Sequence, residues 1–154
     1  MYTVPIDNGA IATASGDYDL WELDAATDKP IELIGIKILV TSEVQEAQEE
    51  WVRISVVRGN TTTGNGSTAT PAPVAIGDTA ASFGAKTIGT TPASAGTAVN
   101  LDMMPVQVRA GDQILYPGGC SFWTSGSALL CVRLLAAPAD DMSISGNIWV
   151  MEYP

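Results

Sequence analysis

The sequence predicts an all-β fold: a single antiparallel β-sandwich, jelly-roll-like, with one long Gly/Thr/Ala/Pro-rich insertion. Three observations predict it. Seven or eight short segments are rich in apolar residues, most of them alternating apolar with polar side chains. No segment keeps a 3.6-residue period, and turns of Gly, Pro and Asp separate the segments. The chain has 154 residues, 46% of them hydrophobic, which suits one domain over 1–154 with one core. No internal repeat is present, and no Trp sits between suitably spaced cysteines as in an immunoglobulin domain.

In chain order, "TVPI" and "AIATAS" suggest an edge strand, where Pro5 is tolerated. "YDLWEL" is the first well-marked strand. "IELIGIKILV" puts Ile34, Ile36, Ile38 and Val40 on one face by period 2, with Lys37 opposite. "SEVQEAQEE" carries a capping box, Ser42 with Gln45, for one or two helical turns. "WVRISVV" places Val52, Ile54 and Val56 inward. After residues 59–98 the pattern resumes in "TAVNLDMMPVQVRAGDQILYP", where Gly111 supplies a turn. "GGCSFWTSG" reads as a loop. "SALLCVRLLA" turns Leu130, Val132 and Leu134 inward, with Cys131 and Arg133 on the other face. "SISGNIWVMEY" closes the fold with Ile144, Ile148 and Val150 inward.

Charge and residue types narrow the chemistry. Seven basic residues against 17 acidic give a net charge of −10, which opposes binding to nucleic acid or to an anionic membrane. No apolar run is long enough to span a bilayer, and "MYTVPIDNGA" lacks the marks of a signal peptide, so synthesis in a cytoplasm is expected. There is no His, which removes the commonest general base and completes no zinc site with Cys120 and Cys131. Those cysteines are expected to be free thiols. Asp17, Asp19, Glu22 and Asp24 fail the calcium-loop spacing and read as a solvated strand edge. "GNTTTGNG" lacks the Lys of a phosphate loop, and the sequons at Asn60 and Asn65 read as accidents of composition. No catalytic residue, metal or cofactor is expected, and the chain is not read as an enzyme.

The aromatic residues carry more. Trp51 has outward parity on its strand; Trp149, Met151 and Tyr153 share outward parity on the last one; Phe122 and Trp123 lie in a Gly-flanked loop. Either another layer covers them or they form an interface, where Trp, Tyr, Phe and Met are enriched. Residues 59–98 pose the second question, since 34 of the 40 are Gly, Ser, Thr, Ala, Pro or Asn. Fixing a residue's backbone costs about 1–2 kcal/mol, so an arm of this composition needs something to hold it. The expectation is that it packs across its own sandwich and onto another subunit, anchored by Val74, Ile76, Phe83 and Ile88.

"DKPIELIGIKILVTSEVQEAQEEWVRISVVRGNTTTGNGSTATPAP" and the ending "LAAPADDMSISGNIWVMEYP" resemble the small β-sandwich structural proteins of tailed bacteriophages, among them capsid decoration, or cement, proteins. The resemblance covers most of the chain and rests on no catalytic motif. It implies a virion protein, often a homotrimer, seated on the outside of a phage head against the major capsid protein. The alternative is a carbohydrate- or receptor-binding sandwich of tail-fibre or adhesin type, with Phe122, Trp123 and the acids near Asp17 as its site.

Overall fold

The computed structural model describes residues 1–13, 16–41, 50–126 and 128–154. The expected Ser42–Gln45 capping box lies outside the described residues. Twelve strands run in order: β1 (Tyr2–Ile11), β2 (Tyr18–Asp24), β3 (Ile31–Val40), β4 (Trp51–Asn60), β5 (Ser67–Ala69), β6 (Ala72–Pro73), β7 (Gly84–Gly89), β8 (Val99–Gln107), β9 (Asp112–Leu115), β10 (Phe122–Thr124), β11 (Leu129–Leu135) and β12 (Met142–Glu152).

They form two antiparallel six-stranded sheets packed face to face. Sheet A is ordered β10-β3-β12-β1-β6, with β9 also paired to β3; sheet B is ordered β5-β7-β2-β11-β4-β8. With β5, β6 and β7 set aside, the orders become β1-β12-β3-β9/β10 and β2-β11-β4-β8. That is the connectivity of a jelly roll, as the strand spacing predicts.

Inward side chains of both sheets make one core, including Val4, Trp21, Leu33, Ile36, Ile54, Val106, Leu130 and Ile148. Trp21 donates its indole N–H across the interior to the Val4 carbonyl at 2.9 Å, so the largest core ring spends no unpaired donor. Two edge-to-face aromatic pairs pack in or against this core. Tyr2 meets Phe83 at 5.6 Å on the β1 side, and Tyr116 meets Phe122 at 4.7 Å on the β9 side.

Several elements differ from the sequence reading. In β3 a bulge opposite Trp149 and Val150 breaks strict alternation: Ile36 and Ile38 face the core and Val40 packs against it as expected, but Ile31 and Leu33 face it too, and Ile34 is the half-buried exception. Residues 122–124 are not loop but β10, paired with Ile31–Leu33. β1 is not an edge throughout, because Tyr2 and Thr3 pair with β6; Pro5 lies just beyond that pairing. The turn at Gly111 is as expected, with φ +69 and its N–H bonded to the Gln107 carbonyl at 2.9 Å.

The largest difference lies in 59–98, which is no featureless arm. It supplies β7, which adds to sheet B beside β2, then β5 outside β7, and β6 on the edge of sheet A. Phe83, expected at a subunit interface, is buried in the chain's own core. Ile88 packs on that core too. The alternation in β7 is weak because it is a short, near-edge strand whose outward partners are the carboxylates of β2.

Candidate interaction surface

The two outer faces of the sandwich are dressed differently. Over β2 and β11 the outer face of sheet B is covered by residues 59–98, while Trp51, Arg53 and Met103 on β4 and β8 stay exposed. Asp19 and Glu22, expected on a solvated strand edge, are buried there. Each works with one base to hold both polar groups of a single peptide-bearing residue. Asp19 Oδ2 accepts the Ala93 N–H at 2.6 Å while Arg133 Nη2 donates to the Ala93 carbonyl at 2.9 Å, and Arg133 Nε meets Asp19 Oδ1 at 2.6 Å. Glu22 Oε2 accepts the Gly64 N–H at 2.7 Å while Lys86 Nζ donates to the Gly64 carbonyl at 2.8 Å, and Lys86 stands 3.7 Å from Glu22 Oε1.

These grips imitate the donor–acceptor pair of a neighbouring strand, which is why a Thr/Gly/Ala chain with few apolar anchors stays in place. Only a residue without a side chain fits the second grip, since a Cβ on Gly64 would lie 2.3 Å from the Thr91 carbonyl oxygen. Beneath lies a small satellite core of Val57, Ala93, Leu129 and Cys131. Burial, with the nearby Asp19 and Glu22 charges, pushes the Cys131 thiol far above its usual range; Cys120 is free and exposed. Burial alone would lower the Arg133 pKa, but its hydrogen bond to Asp19 raises it overall.

Among the described residues, no such segment covers the outer face of sheet A. Leu115, Gly35, Trp149 and Thr3 stand in register across β9, β3, β12 and β1. Gly35 has no room for a side chain, because its Cβ would fall 2.7 Å from Leu115 Cδ2 and 3.2 Å from Trp149 Cε3. The next row is Trp123, Glu32 and Met151. Glu32 is buried and accepts the hydroxyls of Ser121 and Tyr153, a bond that pushes the Tyr153 pKa up. The Tyr153 ring stacks on Trp123 with centroids 4.5 Å apart. Arg58 donates to the Trp123 carbonyl at 2.9 Å. Leu115 is 60% and Trp123 41% exposed, while Trp149, Met151 and Tyr153 are half-buried; Leu39, two residues past Lys37, is also exposed. The patch is aromatic and aliphatic, on a chain of net charge −10.

The candidate interface residues therefore divide. Trp123, Trp149, Met151 and Tyr153 share the sheet A patch. Phe122 points the other way, into the core beside Tyr116. Trp51, 59% exposed, stands alone on sheet B opposite Gln107. Val74 and Ile76 are exposed on a turn after β6, closed by the Asp78 N–H on the Ala75 carbonyl at 3.3 Å. Leu115 and Glu32, central to the patch, went unremarked in the sequence. Period 2 in "QILYP" hints at Leu115; Glu32 is placed by the β3 bulge, which no local signal announces.

Four edge strands are blunted. β5 and β6 are three and two residues long. On β8, Pro105 has no N–H and the Met103 N–H is taken by Asp102 Oδ1 at 2.8 Å. On β9, the Gln113 N–H is taken by Asp112 Oδ1 at 2.7 Å. Pairing through edges is thereby disfavoured, which leaves the faces for association.

Among the described residues no group of three or more acids or cysteines is placed to hold a metal ion. Two cavities, of about 140 and 120 Å³, lie beside Asp24 and Thr63, each smaller than the roughly 300–1,000 Å³ of a typical small-molecule site. The fold and this surface define a jelly-roll sandwich with a self-held strap and one uncovered apolar face. No protein-family model matches the chain, and no curated protein sequence does.

Proposed function

We propose that this chain is a non-catalytic structural protein of a virion. In this reading it decorates the outside of a phage head, binds the major capsid protein through the outer face of sheet A, and acts as a homotrimer. One observation carries the reading: a contiguous patch of Leu115, Trp123, Trp149, Met151 and Tyr153, low in charge, on a molecule whose edge strands β5, β6, β8 and β9 are blunted. Such a face suits association with another protein surface. The jelly roll is a common capsid architecture, and the sequence resembles decoration proteins. A protein that binds the assembled shell better than its free subunits stabilises the shell by mass action.

The test is co-sedimentation with heads of the particle encoded beside this gene, followed by electron imaging. Expected are density for the chain at fixed positions on the outer shell, loss of binding in Leu115→Asp, and raised heat resistance of decorated heads. A chain that stays in the supernatant with intact heads overturns the reading. Sedimentation equilibrium tests the trimer separately.

A second reading, a carbohydrate-binding module, draws on the exposed Trp123 ring beside Glu32 and Ser121. It ranks lower because Trp123 already stacks on Tyr153. Glycan retention abolished by Trp123→Ala would reverse the ranking.

A further inference from the structure

The cover on sheet B is built as two segments, 61–65 and 90–95. They are tied to each other by a bridge between Thr62 and Ser94, by the Asn65 N–H on the Thr91 carbonyl at 3.1 Å, and by the Thr91 N–H on Asn65 Oδ1 at 2.8 Å. Glycines bound both segments: Gly59 and Gly66 on the first, Gly89 and Gly96 on the second. The tie to the sandwich is mainly polar and local, through the Gly64 and Ala93 grips, whereas the sandwich rests on an extended apolar core. Closure also carries penalties. Ala95 holds a left-handed backbone at φ +55, and the side-chain Nδ2 donor of Asn60, the last residue of β4, is buried without a partner.

We propose that these segments form a latch, which lifts from sheet B as one body about its flanking glycines while the sandwich stays folded. Lifting breaks the Asp19–Ala93–Arg133 and Glu22–Gly64–Lys86 grips and relaxes the left-handed Ala95. It gives Asn60 access to water and uncovers Val57, Leu129 and Cys131. Segments held by few apolar contacts open below the global unfolding free energy. The latch is independent of shell binding.

Cys131 is the reporter, since its buried thiol reacts only when uncovered. In a Cys120→Ser background, which leaves one thiol, labelling by an aromatic disulfide reagent is followed across low urea concentrations. The expected result is labelling in the folded protein, nearly insensitive to urea. Lys86→Met, at a partly exposed position that spares the core, speeds it about tenfold by weakening one grip. Amide exchange of Gly64 and Ala93 runs together and ahead of β2 and β11. Overturning the latch takes either of two results: Cys131 inert in the native state of both proteins, or labelling that follows global unfolding with the same urea slope in both.

Discussion

The outer faces of the two sheets pose the same problem and solve it in opposite ways. A sheet packed on one side leaves a second side to water, to its own chain or to a partner. On sheet B the outward residues of β2 are acids, and the chain lays its own backbone over them through the grips on Gly64 and Ala93. On sheet A the outward residues are Trp149, Met151 and Trp123, and no segment of the described chain crosses them. Small residues and buried charge go together, because a carboxylate and a cation can grip a backbone only where no side chain intervenes. Large rings and absent cover also go together. The order of residues 59–98 thus originates inside the chain and needs no second subunit, while the aromatic residues remain the surface that a second molecule would bury.

Breaking the first grip should have the largest effect. Arg133→Met leaves Asp19 buried without its cation, with the Ala93 N–H and the Cys131 thiol as neighbours. Removing one member of a buried ion pair costs about 3–5 kcal/mol, read as a fall in the urea midpoint. The double change Asp19→Asn with Arg133→Met should recover part of that loss, because no charge is then stranded. A loss below about 1 kcal/mol in the single variant would place the pair among exposed ion pairs and dissolve the contrast between the faces.

Gly64→Ala is next. The added methyl meets the Thr91 carbonyl oxygen at 2.3 Å, so the segment must shift out of its grip, at about 1–3 kcal/mol. Gly16→Ala is the matched control, since nothing lies within 4 Å of the methyl it adds. Equal stability of the two variants in urea would mean that close approach at Gly64 holds nothing.

How much of this could be read in the sequence follows from the range of each interaction. Alternation in β4, β11 and β12 is local, and it gives the two-layer fold and the inward residues Ile54, Leu130 and Ile148 directly. The outward parity of Trp149 and Met151 is legible for the same reason. The grips are not, because Asp19 and Arg133 are 114 residues apart and nothing in "GDYDLWELD" distinguishes a gripping carboxylate from a wet one. β7 hides because its neighbour β2 supplies the interactions that its own side chains do not. Bulges defeat counting: one inserted residue at Ile34 puts Ile31 and Leu33 on the same face as Ile36 and Ile38, which strict alternation forbids.

Leu115→Ser sharpens the contrast from the other side. The side chain is mostly exposed, so the change should move stability by less than about 0.5 kcal/mol in urea. The same variant should weaken whatever association the sheet A face supports, seen as a lower apparent mass in sedimentation or a lower occupancy on shells. A loss of stability as large as that of Gly64→Ala would make the patch part of the chain's own core and remove it as an interaction surface.

The smallest effect is a pH dependence at the second grip, and its sign is diagnostic. Glu22 has its pKa raised above 4.5, chiefly because burial disfavours its charge; the Gly64 N–H and Lys86 offset this only in part. The folded protein therefore binds this proton more tightly than the unfolded chain. The resulting stability is fully present below about pH 4.5 and is lost as pH rises through the raised value. Comparing wild type with Glu22→Gln cancels the other carboxylates. The urea midpoint of wild type relative to the variant should be highest in acid, decline as pH rises, and then level off. A difference that instead grows with pH would mean that attraction to Lys86 outweighs the loss of solvation. The second grip would then hold as an ion pair, and the strap would loosen in acid where the present sign tightens it.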